Sequence, residues 1–285
     1  MSDEPRHEED YEPRQVAAAK RVIVDVMQVL ASYEDCLVLV GGWVPDLVIG
    51  ETDEAHVGSI DVDLALDATK LNQGRYAEML KLLLGTGRYR QGELDFQFIT
   101  QVDLGDGEPA VQVELDFLAP KDVKTGKNKP KLIKNFRVLK ADGCAAAFHS
   151  PLTMKLSGQM AGGAKNTVSL RVASVPDFLV MKSIALANRE KPKDAYDICY
   201  CLDHYQGGIR GLARSWRAQM LDGSDVAKSV EILKEKFQGV DFYGPMMVVE
   251  FHNDTDDSVR EEQARRAFEL VQQFVFEIEQ SKNDE

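Results

Sequence analysis

Asp61 and Asp63 stand two residues apart in the run Ser59 to Asp67, which alternates polar and apolar residues without a break. The alternation predicts a strand with Ile60, Val62, Leu64 and Leu66 on one face and the acids on the other. On that face the two carboxylates lie roughly 5–7 Å apart at backbone level. Like charges this close cost on the order of 4 kcal/mol per pair at 4 Å and an effective dielectric near 20, so a cation is expected between them. Oxygen donors with no imidazole or thiolate beside them select hard ions, Mg²⁺ (or Mn²⁺), and Mg²⁺ keeps open positions for phosphate oxygens.

Ala110 to Leu118 alternates in the same way, with Val111, Val113, Leu115 and Phe117 opposed to Gln112, Glu114 and Asp116. Asp116 is the expected third carboxylate, joining Asp61 and Asp63 as a metal ligand or accepting a proton from an attacking hydroxyl. Glu114 reads as its solvated neighbour. Gly41-Gly42 closes the continuously apolar run Cys36 to Val40, the pattern of a buried strand entering a tight turn. Such a turn lets backbone N–H groups approach triphosphate oxygens, and Ser59 adds a donor on the acidic face.

These residues need a sheet to hold them, and the remaining pattern supplies one. Helical spacing is expected over Val16 to Tyr33, Val44 to Ile49 and Tyr76 to Leu84, and strands over Phe96 to Val102, Leu152 to Ser157 and Thr167 to Ala173. From Pro176 onward the texture is helical: Phe178 to Asn188, Asp194 to His204, Ile209 to Leu221, Val226 to Phe237 and Val259 to Gln280. The expected fold is α/β (α+β), with residues 15–175 as a mixed-sheet core and 176–285 as a helical domain. Residues 1–14 read as a frayed, disordered acidic arm.

Composition narrows the function classes. The 285 residues are 44% hydrophobic and 28% charged, enough for one large or two modest cores, which excludes collagen-like and wholly disordered chains. No apolar run approaches the roughly 20 residues of a membrane-spanning helix, and the acidic N-terminus has no signal-peptide character. Cys36, Cys144, Cys199 and Cys201 form no CxxC pair and suit buried thiols in a reducing cytoplasm. Cys199 and Cys201 fall about 200° apart on a helix and cannot share a metal. The five scattered histidines make a zinc site an unpromising reading.

A net charge of −13 argues against a surface that coats nucleic acid. The exception is Pro120 to Lys140, where Lys121, Lys124, Lys127, Lys129, Lys131, Lys134, Arg137 and Lys140 oppose the single acid Asp122. This segment leaves the Asp116 strand directly and is the expected contact for an RNA acceptor.

Gly41-Gly42-Trp43-Val44-Pro45-Asp46-Leu47 followed by Gly58-Ser59-Ile60-Asp61-Val62-Asp63-Leu64 resembles the first motif of nucleotidyltransferases with the polymerase β type fold, and Val113 to Phe117 is similar to their third acidic position. Phe178 to Arg189, then Lys193-Asp194-Ala195-Tyr196-Asp197-Ile198, resembles the lysine and paired-aspartate motifs of the AbiEii/AbiGii toxin branch. Where many members carry an arginine shortly before the DxD, His56, Val57 and Gly58 stand here.

The resemblance implies metal-dependent transfer of a nucleoside monophosphate from an NTP, with pyrophosphate leaving. Asp61, Asp63, Asp116 and Lys182 are then the catalytic set, and Gly41, Gly42, Ser59, Lys182, Asp194 and Asp197 the nucleotide-binding set. It further implies a toxin of a toxin–antitoxin or phage-defence pair, acting on RNA such as tRNA, with a cognate antitoxin. The GGW opening also suits nucleotidylation of a small molecule or antibiotic, and a non-catalytic nucleotide-binding module is the rival of a different class. Local readings compete at three residues. Lys182 could be a snorkelling helix lysine, Asp194 a first-turn acid after Pro192, and Asp197 the i,i+4 partner of Lys193.

Overall fold

A computed structural model describes residues 5–50, 52–67, 69–71, 73–94, 96–121, 138–221 and 223–280. The chain divides into two compact units: a sheet unit of Glu12–Val44 and Gly58–Ser174, and a helical unit of Met1–Tyr11, Pro45–Val57 and Val175–Glu285. The helical unit thus takes in a segment lying between the glycine turn and the DxD, which a linear boundary near residue 175 leaves with the sheet.

Eight strands form the sheet: β1 Leu37–Val40, β2 Val62–Leu66, β3 Arg90–Gln91, β4 Gln97–Val102, β5 Val111–Pro120, β6 Leu139–Ala141, β7 Leu152–Gln159 and β8 Lys165–Val172. Their order is β3-β4-β5-β2-β1-β8-β7, with β6 pairing β5 off this path. The sheet is mixed: β2 runs parallel to β5 and β1 parallel to β8, while β1/β2, β4/β5 and β7/β8 are antiparallel. Helix α1, Pro13–Val29, packs on β5, β7 and β8, and α3, Gln73–Gly85, packs on α1. Val22, Ile23, Val26 and Met27 of α1 are buried in this layer.

Period-two chemistry explains β5. Val113, Leu115, Phe117 and Ala119 are buried while Gln112 is exposed and Glu114 and Asp116 are half-buried. Phe117 meets Phe98 of β4 edge to face, ring centroids 5.8 Å apart. Strand β2 is shorter than the alternation predicts and begins at Val62. Gly58 turns the chain at φ +75°, and the Asp61 carbonyl accepts a 2.7 Å hydrogen bond from Trp43 Nε1. Residues 59–61 are therefore held by a side chain instead of a ladder.

Among the described residues six helices follow in the helical unit: α4 Val175–Asn188, α5 Pro192–His204, α6 Gly208–Arg217, α7 Asp225–Lys236, α8 Tyr243–His252 and α9 Asp257–Gln280. The remaining helix, α2 Trp43–Val48, straddles the boundary between the units. Trp216, Phe237, Phe251 and Phe274 form the helical core, and Trp216 Nε1 donates to the Pro176 carbonyl at 2.9 Å.

Helix α8 is absent from the sequence reading. Gly244-Pro245 looks like a breaker, yet Pro245 lies in the first turn, where its missing N–H is not needed. The arm expected to fray is also corrected from Pro5 onward. A 3-10 turn at Glu8–Asp10 forms, Glu8 Oε2 pairs with His252 Nδ1 at 2.7 Å, and Tyr11 is buried against Phe251.

Deleting the Phe117 ring should cost about 3–5 kcal/mol of sheet-unit stability, whereas Gln112→Ala on the exposed face of β5 should stay within about 0.5 kcal/mol. Chemical denaturation of the two variants measures the contrast.

Candidate active site

Two strands that diverge in sequence bring the acids together. In the parallel β2/β5 pairing Asp63 lies opposite Asp116, so both carboxylates leave neighbouring strands on one face, with Asp61 two residues before Asp63. Gln97 of β4 lies opposite Asp116 from the other side and hydrogen-bonds it. Its Nε2 also donates to Glu114 Oε2 at 2.9 Å, so Glu114 belongs to the same polar face. The glycine turn meets the acids directly. Gly41 holds φ +72°, and a Cβ there would lie 2.2 Å from Asp63 Oδ2. Only glycine leaves room for the carboxylate.

Electrostatics report the crowding. Burial, then the charges of Asp63, Asp61 and Glu114, push the Asp116 carboxyl up to about 8, against the opposing hydrogen bond from Gln97. Its Oδ1 is buried with no hydrogen-bond partner. Ser59, which the sequence places as a donor toward phosphate, instead donates to Asp61 Oδ1 at 2.5 Å.

The donor chemistry fits a hard divalent ion: oxygens alone, an orphaned buried carboxylate oxygen and mutual repulsion that a cation would relieve. The side chains are not drawn around a common point. Among the described residues no group of three or more His, Cys, Asp or Glu is poised to hold a metal ion; Ser59 donates to Asp61, and Gln97 hydrogen-bonds Asp116.

Lys182, Asp194 and Asp197 lie in the helical unit as one buried network. Lys182 Nζ of α4 donates to Asp194 Oδ1 and sits by Asp197 Oδ2, each at 2.7 Å. Lys193 Nζ donates to Asp197 Oδ1 at 2.7 Å, so the i,i+4 pairing read from sequence is formed. Arg189, half-exposed, donates to both oxygens of Asp194 at 2.7 and 2.9 Å.

Burial raises the Asp194 and Asp197 carboxyls, but Lys182 and Arg189 at Asp194, and Lys182 and Lys193 at Asp197, outweigh it and hold both below the ordinary range. Burial likewise pulls Lys182 down while the two carboxylates hold it above its ordinary range, and Lys193 stays below its own. Lys182 is thus compensated by two carboxylates, a role of holding α4 to α5 that helical periodicity alone does not reveal.

Sequence reasoning missed His56. Its ring is buried, and Nε2 donates to Asp197 Oδ1 at 2.9 Å, since a carboxylate only accepts. Burial, then Lys193, lower the imidazole to about 4. A lone histidine between Ala55 and Val57 gives no spacing signal, so only the fold exposes this contact.

A family model described as nucleotidyl transferase AbiEii toxin, type IV TA system, matches residues 25–274. The chain belongs to the AbiEii toxin family. Its mixed sheet and following helices form an α/β fold. The AbiEii assignment makes it a nucleotidyltransferase toxin of a type IV toxin–antitoxin system and implies a cognate antitoxin. A search of curated proteins gives no match to this AbiEii chain. No helix among its described residues is long and apolar enough to cross a membrane. In the basic segment, Lys124, Lys127, Lys129, Lys131, Lys134 and Arg137 lie outside the described residues, while Lys121 and Lys140 flank them, Lys121 Nζ donating to Asp142 at 2.8 Å. All four cysteines are buried free thiols.

Asp116→Asn removes one charge from the repelling face, so the metal-free protein should gain about 2 kcal/mol at pH 8, read as a higher thermal midpoint. For His56 the unfolded chain takes up a proton near 6.5 and the folded chain only near 4. Its contribution is therefore complete above about pH 6.5 and falls as pH drops toward 4, by up to about 1.4 kcal/mol per unit. The midpoint gap between wild type and His56→Gln should accordingly shrink between pH 7.5 and 5.

Proposed function

We propose that the acidic sheet face is the centre for transfer of a nucleoside monophosphate from an NTP to an acceptor hydroxyl, with RNA, tRNA among the candidates, as acceptor. One observation carries this reading: Asp63 and Asp116 face each other across β2 and β5, beside the Gly41 turn, with a buried Asp116 oxygen left unpartnered.

Asp61, Asp63 and Asp116 would hold Mg²⁺ or Mn²⁺, which when bound offsets triphosphate charge and polarises the α-phosphorus. Asp116, once ionised, takes the proton of the acceptor hydroxyl as that hydroxyl oxygen attacks the α-phosphorus and the bond to the pyrophosphate oxygen breaks. Gly41 and Gly42 leave backbone free to approach the phosphates, and Ser59 orients Asp61 through its 2.5 Å hydrogen bond. In the helical unit, Lys182, Asp194 and Asp197 serve nucleotide binding by fixing α4 against α5, and Arg189 supplies the half-exposed positive charge beside them.

Charge distribution supports an RNA acceptor on the sheet unit. That unit carries 19 Lys and Arg against 17 Asp and Glu, while the helical unit carries 15 against 30, so phosphates are repelled by one and tolerated by the other. Lys121 to Lys140 contributes much of this balance. The buried free thiols support a reducing cytoplasm as the compartment.

Incubation with each labelled NTP, Mg²⁺ and total RNA tests the reading. Labelled RNA with pyrophosphate release is expected, and Asp63→Ala should lower the rate at least about a thousandfold with the fold intact by circular dichroism. Label on small hydroxylated acceptors alone would redirect the acceptor, and nucleotide binding without release would leave a binding module.

A further inference from the structure

Gln97 is only 6% exposed, and the sheet register sets it among acids. It lies opposite Asp116 in the β4/β5 pairing, and Asp116 lies opposite Asp63 in the β2/β5 pairing. The antiparallel β3/β4 register pairs Arg90 with Ile99 and Gln91 with Phe98, so its next step brings Gly92 opposite Gln97. Gly92, Gln97, Asp116 and Asp63 thus form one row across the sheet, all within the sheet unit. Directly opposite residues share a face, so Gln97 stands on the side of the carboxylates.

The slot that holds this side chain is built from both neighbours. The Gly92 N–H donates to the Gln97 carbonyl at 2.8 Å and the Gln97 N–H to the Leu94 carbonyl at 3.1 Å, which closes the turn between β3 and β4. A Cβ on Gly92 would lie 2.5 Å from Gln97 Oε1 and 2.9 Å from its Cγ. Any larger residue at 92 would have to displace the amide. With its oxygen over Gly92, the amide turns Nε2 toward β5, where it donates to Glu114 Oε2 at 2.9 Å while the same side chain hydrogen-bonds Asp116. An amide nitrogen offers two N–H donors without a charge, so one glutamine serves two carboxylates that repel each other. A methionine of similar length would fill the slot and donate nothing.

We propose that Gln97 is a positioning residue for Asp116: held by Glu114 on one side and the Gly92 slot on the other, its amide fixes the direction in which the Asp116 carboxylate points. In the transfer reaction Asp116 takes the acceptor proton, so Gln97 acts through the aim of that carboxylate and touches neither substrate nor reacting atoms. This kinetic part rests on the nucleotidyl transfer reading. The geometric part does not.

Crystal structures of the full chain without metal, as wild type, Gln97→Met and Gly92→Ala, test the geometric part. Asp116 should keep one side-chain rotamer in the wild type and leave it in Gln97→Met, where no amide donor remains. Gly92→Ala pushes a Cβ into the amide without changing its chemistry, should turn Asp116 in the same way, and decides the matter should Gln97→Met fail to fold. In the labelled-NTP assay Gln97→Met should lower kcat roughly ten- to a hundredfold with KM for the NTP within about twofold, a split that loss of fold would not give. Mn²⁺ affinity of the same variant, read by paramagnetic resonance, should stay within about threefold of wild type. An unmoved Asp116 in both variants overturns the proposal, and so does an unchanged kcat in both while the wild type turns over. Mn²⁺ binding lost in step with kcat overturns it too, since Gln97 would then shape the metal site and not the aim of the base. A wild type without turnover defeats the transfer reading, while the Asp116 rotamer still decides the positioning.

Discussion

Repulsion among carboxylates forced onto one face of a sheet is the constraint around which the sheet unit is arranged. The β2/β5 register leaves Asp63 and Asp116 no choice but to be neighbours, because a one-residue slip would send Val62, Leu64, Leu115 and Phe117 to the polar face. The apolar core thus enforces an arrangement that electrostatics alone disfavours. Gln97 and Ser59 moderate the conflict by hydrogen-bonding Asp116 and Asp61, and the glycine at 41 leaves room for Asp63. Strain of this kind, held in place by the rest of the fold, is what a site for a cationic ligand requires.

The helical unit handles charge in the opposite way. Asp194, Asp197, Lys182 and Lys193 are buried along α4 and α5, yet each carboxylate meets two basic side chains at 2.7 Å. Desolvating so many charges is expensive, and only a fully paired set makes it tolerable. Removing one member leaves its partners buried and uncompensated, so the network fixes the α4/α5 geometry more than it adds stability. It also explains how an imidazole remains neutral at 2.9 Å from a carboxylate: burial and the Lys193 charge outweigh the attraction.

Much of the sheet was legible because strands have period two. Ser59 to Asp67 and Ala110 to Leu118 announce an apolar and an acidic face from residue order alone. Register was not legible: that Asp116 faces Asp63, or that Gln97 joins them, depends on β4, β5 and β2 being adjacent. Along α5 the difficulty is different. Every residue from Pro192 to Leu202 is buried, so hydrophobic periodicity could not separate a solvated charge from a sequestered one. Asp25 in α1 shows the same problem, its carboxylate buried and bound by Tyr89 and Arg88 from distant sequence. Helix α8 escaped because a proline in a first turn resembles a proline that ends a helix.

The acidic face matters only if it accepts a divalent cation. Titrating Mn²⁺ into the purified full chain while following its paramagnetic resonance measures this most directly. Bound Mn²⁺ in the wild type, weakened at least about tenfold by Asp63→Asn and by Asp116→Asn, is the expected result. No bound Mn²⁺ in the wild type, or binding that survives both substitutions unchanged, would contradict it.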